Sequence, residues 1–436
     1  MVRLTRQRKG RHRLRHSVIR RSGGVTIAFI VGHTFNYALF WGADRILPSG
    51  RFGLFYTAVL IMNITMAPMM AVTLVLTRRF AEVGVIAGPD EVVVITWRML
   101  GVCVRATPFV IAAGVFLAAA APCLGVESWP VVLLIPITVL ALVIAEILRA
   151  SLQSMLLFAR ASALWVVNTG CQFAFSLGAL FIFTKVWTGI AGIFVGCTLA
   201  AAAFLPWFAD QARQRIIRSP ESPPLQIKQE MPMIISYSLF ILLNNIDILV
   251  GYFLLSRAEL DTYAASALLP KAIITATFAV AQVVLPVVTD QRIGGRSFRF
   301  SVLKGIVFAA GMAAAAAGVL WVTIPFIQGT PLAVRGLNFE LMSILAIGAV
   351  ALSTLRILVV VEGALHRHTI GIAQSGTIML FVLFCVVLKA GSLQIAELYS
   401  VISCAFLLLV GGAALILRIA RSRPAQIWSQ SPFGKF

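Results

Sequence analysis

Acidic residues are scarce. Sixteen Asp and Glu stand against 36 Lys and Arg in 436 residues, and only 12% of the chain is charged. A soluble domain carries about 25% charged residues, so a water-facing surface of ordinary extent is excluded. Cysteine is also rare. Cys103, Cys123, Cys171, Cys197, Cys385 and Cys404 fall mostly inside apolar runs and form no CxxC pair. They read as small core residues rather than redox or metal ligands. The chain has no phosphate loop of the form GxxxxGKS or GxxxxGKT, no HExxH, no GxSxG and no metal-spaced His/Cys cluster. A built-in ATPase, metalloenzyme or serine hydrolase is therefore not expected. Segments expected on the outer side of a membrane are all short, so no catalytic domain fits there. The expectation is a chain that is not an enzyme and uses no cofactor.

What is present is apolar: 60% of residues are hydrophobic. Such a chain uses lipid as solvent and must satisfy its backbone polar groups internally, as helices or as a closed barrel. Barrel strands alternate apolar and polar residues, whereas Val131–Leu148 and Leu341–Leu352 are continuously apolar. The fold class is all-α integral membrane. Runs of spanning length recur near 23–45, 52–77, 98–122, 130–149, 161–183 and 187–208, then near 232–256, 263–289, 301–327, 339–362, 369–388 and 395–418. The first is long enough to span and lacks a small-residue cleavage site, so it reads as a retained helix. Between the two sets lies Asp210–Glu230, with Ser219-Pro220-Glu221-Ser222-Pro223-Pro224, a linker by its prolines and charges. The domain reading is a basic arm (1–22), a first six-helix bundle (23–209), a linker (210–231), a second bundle (232–420) and a tail (421–436).

The net charge of +20 does not indicate nucleic acid, because of where it sits. Nine Lys/Arg occupy the first 21 residues, and most others fall in gaps between apolar runs. With both termini placed in the cytoplasm, inner segments hold 26 Lys/Arg, including Arg149 and Arg160, and outer segments hold 6. That asymmetry is the positive-inside rule, and the arm is suited to anionic lipid head groups. An offset of 208 residues overlays the helices of one half on the other. It places Asn36 on Asn244 and Phe55 on Tyr263, and brings Arg149 within one position of Arg356. Six helices per half makes the repeat parallel, a build used by transporters with the substrate between the halves.

Charged groups inside the bilayer are costly and face a cavity or a partner. Asn244, Asp247 and Gly251 share one face of helix 7, either as a polar site or as an interhelical hydrogen bond. Lys271, Thr275 and Gln282 share a face of helix 8, and Lys271 either enters the bundle or snorkels outward. Pro286 suggests a kink in that helix. Arg105 lies about two turns into helix 3, with Arg98 nearer the surface. Arg356 lies near the inner end of helix 10. Glu146 and Arg149, at i and i+3, form a self-neutralising pair. His33, Asn36, Phe40 and Asp44 run along helix 1, where His33 reads first as a packing residue. Met62, Met66, Met69 and Met70 form a soft stripe around Pro68 that reads as core filling. In-membrane cations outnumber anions on these faces, which suits an anionic group such as phosphate or pyrophosphate.

The stretch Asp44-Arg45-Ile46-Leu47-Pro48-Ser49-Gly50-Arg51-Phe52-Gly53-Leu54-Phe55 resembles the helix 1–2 junction of the polysaccharide-biosynthesis, O-antigen-type oligosaccharide flippases. That family belongs to the multidrug/oligosaccharidyl-lipid/polysaccharide exporter superfamily. Arg78-Arg79-Phe80-Ala81-Glu82 is similar to the family's helix 2 ending, and Asp247, Gly251 and Tyr263 fit its second half. Ile248 stands where an arginine is frequent, and Glu259-Leu260-Asp261-Thr262 lacks the usual turn glycine. The resemblance implies a flippase in the bacterial cell inner membrane. It would move a lipid-pyrophosphate-linked oligosaccharide for cell-surface or exopolysaccharide synthesis, by alternating access. Arg105, Lys271 and Arg356 would engage the anionic head group, and Asn36, Asn244 and Asp247 would supply hydrogen bonds or a coupling carboxylate. Its expected partners are the lipid-linked substrate, membrane lipids and polysaccharide synthesis machinery, with no nucleic acid and no metal. Three rivals stand beside it: a drug/cation antiporter of the same superfamily, a membrane-embedded sugar-chain polymerase or ligase, and a non-transporting scaffold.

Overall fold

The computed structural model describes residues 27–28, 30–86, 89–120, 129–155, 157–216, 227–277, 280–281, 284, 288, 297–327, 336–364 and 369–411. The basic arm, the tail, Gln282, Pro286 and Asp290 lie outside these residues, and the side chains of Met69, Met70 and of 73–91 lie outside them too. The described residues form twelve helices: α1 (30–46), α2 (Phe52–Ile86), α3 (Pro89–Ala120), α4 (Trp129–Ser154), α5 (Phe158–Phe183), α6 (Val186–Ile216), α7 (Ile227–Leu254), α8 (Arg257–Ala276), α9 (Arg299–Ile327), α10 (Phe339–Ala364), α11 (Thr369–Val387) and α12 (Ser392–Phe406), which runs on into a π turn, Leu407–Gly411. Eight of them are long and apolar enough to cross a membrane: α3 to α7, α9, α10 and α12. Helices α2 and α11 contribute shorter apolar stretches, Phe52–Pro68 and Ala373–Val387.

Several boundaries differ from the expectation: α2 runs on to Ile86 and α8 starts at Arg257. Helix α3 begins nine residues early, at Pro89, because proline suits the first helical position and Val92, Val93 and Val94 are buried. The linker is shorter at both ends, because α6 continues to Ile216 and α7 starts at Ile227. Prolines 68, 108, 136, 206, 232, 270 and 325 all lie inside helices. Packed neighbours in a membrane bundle re-satisfy the backbone groups that proline frees. Several threonine hydroxyls are satisfied within their own helix, as Thr96 donating to the Val92 carbonyl and Thr377 to that of Ala373.

In the first half α2 packs on α4, α4 on α6 and α3 on α4. Helix α1 lies along α5, with Phe35 against Phe173 and Gly42 against Leu177. Helices α5 and α6 meet nearly backbone to backbone: a Cβ on Gly196 would stand 2.6 Å from the Cys171 carbonyl carbon, the close approach that small residues permit in membranes. In the second half α8 packs on α10, α10 on α12, α9 on α10 and α7 on α11. The pairing of the first half thus recurs in the second. The halves meet where α2 lies on α7 and α8. Phe52, Tyr56, Leu60, Ala67 and Ala71 of α2 share one buried cluster with Tyr237, Phe240 and Tyr263.

One end of that seam is held by a polar clamp. The backbone N–H groups of Gly50 and Gly53, at the start of α2, each donate at 2.5 Å to the Asp261 carboxylate of α8. Gly50 has φ +80°, a conformation glycine adopts without strain. A Cβ on Gly53 would stand 2.8 Å from the Leu260 side chain and 3.0 Å from its carbonyl carbon. The Phe52-Gly53 pair therefore marks a place where the two halves approach closely.

Candidate functional site

Two buried polar clusters lie close to this seam. The first joins α7, α8 and α12. Asp247 is fully buried and accepts hydrogen bonds from Lys271 Nζ at 2.8 Å and Tyr263 Oη at 3.1 Å. Lys271 Nζ also donates to the Asn244 backbone carbonyl, which takes a further bond from Tyr399 Oη at 3.0 Å. The ammonium stands 5.3 Å from the centre of the Tyr399 ring. Asn244 Oδ1 is buried with no donor among the described residues, and Asn245 Nδ2 is spent on the Ile241 carbonyl. Asn244 and Asp247 do share an inward face, as their spacing predicts. Lys271 turns into the bundle rather than snorkelling out. Its charge is matched by Asp247, so this cluster is an ion pair and not a free cation.

The second cluster spans the halves. On α4, Arg149 donates to Glu146 at 2.5 Å and its guanidinium lies 5.1 Å from the centre of the Trp165 ring. On α10, Arg356 Nη1 donates at 2.8 Å to the Ile274 carbonyl, and its guanidinium lies 5.0 Å from the centre of the Phe240 ring. Thr277 Oγ1 donates to the same carbonyl at 2.7 Å, so Arg356 stands at the end of the regular part of α8, where a cation complements the helix dipole. Tyr237 of α7 lies in the buried cluster that holds Phe240, with Trp165 packed against it, and its ring centre stands 6.3 Å from that of Phe240. Its hydroxyl is buried with no hydrogen-bond partner among the described residues. His33 of α1 meets Trp165 edge-on at 6.0 Å.

The structure thus brings together Asn244, Asp247 and Lys271, and sets Arg356 one turn along α8 from Lys271. Asn36 is half-buried on α1 and has no partner among the described residues. Arg105 is exposed on α3, beside Trp97, Arg98, Gly101 and Val102, and joins neither cluster. Arg149 is corrected: it is a buried residue inside α4, not an inner-loop cation. Removing it from the charge count leaves the asymmetry intact. Tyr237, Trp165 and Tyr399 were not expected at a site. The offset that laid Arg149 beside Arg356 held the signal. Both arginines sit on the fourth helix of their half, and each faces an aromatic ring.

No family model matches the chain, and no curated protein matches it. Solved structures do. The chain is similar to a multidrug resistance MATE family transporter of the MOP superfamily in an outward-facing conformation (TM-score 0.63, 14% identity, covering 92% of this chain and 95% of that one). It is similar to a Vibrio cholerae MATE transporter (TM-score 0.61, 16% identity, 92% and 97% covered). It is also similar to a MOP superfamily transporter from Pyrococcus furiosus, described by the reverse polarity of its binding pocket (TM-score 0.66, 14% identity, 92% and 95% covered). Twelve helices, their pairing and the coverage of nearly the whole chain lead to one conclusion: this protein has the fold of the MATE transporters of the MOP superfamily.

Proposed function

We propose that the chain is a membrane transporter of the MOP superfamily, with two parallel six-helix bundles, both termini cytoplasmic, in the bacterial inner membrane. Its substrate in this reading is a lipid-pyrophosphate-linked oligosaccharide, carried by alternating access between the bundles. The observation that carries it is that Tyr237, whose hydroxyl has no partner among the described residues, shares one buried cluster with Trp165 and Phe240, the two rings that face Arg149 and Arg356. A guanidinium in low dielectric is the group that best recognises phosphate, and a buried hydroxyl without a partner is left for a ligand. The Pyrococcus furiosus neighbour, with its reverse polarity of binding pocket, supports a fold that accommodates more than one kind of cargo. Deleting the gene should make the linked sugar unit build up on the cytoplasmic leaflet, read by extraction of lipid-linked intermediates. No build-up would overturn the substrate. Tyr237→Phe should fold normally, since the hydroxyl has no protein partner to lose, and should lower export roughly tenfold if it bonds the cargo.

A second reading is favoured by the first cluster. Asp247, held by Tyr263 and Lys271, is a carboxylate that a proton or cation can compete for, as a drug/cation antiporter requires. Dye efflux driven by an imposed ion gradient in proteoliposomes, lost in Asp247→Asn, would select this reading. Gradient-independent behaviour would exclude it.

A further inference from the structure

Helix α3 carries a feature that neither cluster absorbs. One narrow face, with Thr96, Leu100, Gly114 and Ala118, packs toward α4 and α6, where Gly114 lies against Leu133. The opposite face, with Val102, Phe109 and Phe116, is exposed and apolar, as a lipid-facing helix surface is. Arg98 and Arg105 stand on that same face, seven residues apart, directly away from the packed side. Arg105 lies two turns, about 10 Å, beyond Arg98 along the helix and has no partner among the described residues. An arginine on a lipid-facing surface is costly in the hydrocarbon and is favoured where it can reach the head-group level or an anion there.

The surface between the arginines is concave. Trp97, Arg98, Gly101, Val102 and Arg105 line an open groove of about 470 Å³. Gly101 leaves open space there, since a Cβ on it would meet nothing within 4 Å. Side chains of a helix lean toward its N-terminus, so Arg105 reaches back toward Arg98, about 10 Å along the axis. From Arg98 to Ala119, the end of the apolar span, the helix rises about 31 Å, close to one hydrocarbon thickness. That register puts Trp97 and Arg98 at the head-group level, where tryptophan is favoured.

We propose that this face of α3 binds the phosphate head group of an anionic membrane lipid, in the leaflet at the Pro89 end of the helix. The phosphate would sit over Gly101 between the two guanidiniums, and an acyl chain would run along Val102, Phe109 and Phe116. The site faces away from the seam between the halves and does not depend on what the central clusters carry.

The test uses the full chain in nanodiscs with a photoactivatable phosphatidylglycerol, and maps the cross-links by peptide mass spectrometry. Cross-links on α3 should form, and unlabelled phosphatidylglycerol should compete for them while phosphatidylcholine does not. Arg98→Gln with Arg105→Gln should reduce them by about tenfold, and Arg98→Lys with Arg105→Lys should largely restore them. Gly101→Leu fills the groove without changing charge and should reduce them likewise. Cross-links elsewhere, on the basic arm for example, report expression and insertion and should stay constant. Equal competition by phosphatidylcholine, or α3 cross-links unchanged in all variants, would mean ordinary annular lipid and overturn the proposal. Disulfide trapping of Val102→Cys between two copies, with no lipid cross-link on α3, would overturn it in favour of self-association.

Discussion

Lys271 and Asp247 show what lipid demands of a charged side chain. Both groups are buried, so each uses the other, and the Tyr263 hydroxyl and the Asn244 carbonyl fill further positions. Removing one partner strands the other, at a cost of about 3–5 kcal/mol, whereas replacing both by apolar residues is often tolerated. Lys271→Met should therefore lower the thermal midpoint in detergent markedly, and Lys271→Met with Asp247→Leu should recover most of it. Equal destabilisation by the two would contradict the pairing. Part of this was legible in the sequence, because Asn244 and Asp247 fall on one helical face by spacing alone. That Lys271 reaches them was not, since a lysine on a membrane helix can snorkel or turn inward and only the position of the neighbouring helix decides. Arg149 was misplaced for a related reason. An arginine three residues after a glutamate near the end of an apolar run has the composition of a loop, and only Trp165, from another helix, makes it a core residue.

Helix ends are settled in two contrasting ways. Helix α8 caps itself. Ser256 and Glu259 form a reciprocal capping box, and Ser256→Ala should cost about 1 kcal/mol. The hydrogen bonds from Ser256 hold the exposed Glu259 carboxyl below its usual range. A depressed carboxylate stabilises above its unfolded pKa, and that contribution fades as pH falls through the folded value. The capping contribution should thus be lost in acid, below about pH 4, and Glu259→Gln should remove this pH dependence in a melting series. Helix α2 has no such local cap and borrows Asp261 from the other half. Asp261→Ala should cost about 1 kcal/mol, and Gly53→Ala about 1–3 kcal/mol, because its Cβ meets the Leu260 backbone. The existence of the helices was readable from run length. The start of α3 was not, because Pro89-Asp90-Glu91 has a loop's composition and only burial of the following valines extends the helix through it.

At the scale of the whole chain, α7 and α10 are buried over most of their length, and α2 is the member of the first half that lies against α7 and α8. The two-half organisation was legible because hydropathy and charge both repeat. The seam was not, because which faces of α2, α7 and α8 meet depends on shape: Gly53 for approach, Phe52 and Tyr56 for filling. Residues 1–216 and 227–436 made as separate chains should co-purify when expressed together, and Gly53→Leu should abolish the association. Failure of the unaltered halves to associate would show that this seam does not hold them.

The clamp at Asp261 also has a dimension in time. Asp261 follows Gly50 by 211 residues, so at 5–20 residues per second a ribosome reaches it roughly 10–40 s later. For that interval α2 sits in the membrane with its leading amides unclaimed, and the first half has every helix it will own while one of them still lacks its end. Completion of the earliest membrane hairpin therefore waits on the arrival of the eighth helix, and the order of synthesis is written into how the two halves close.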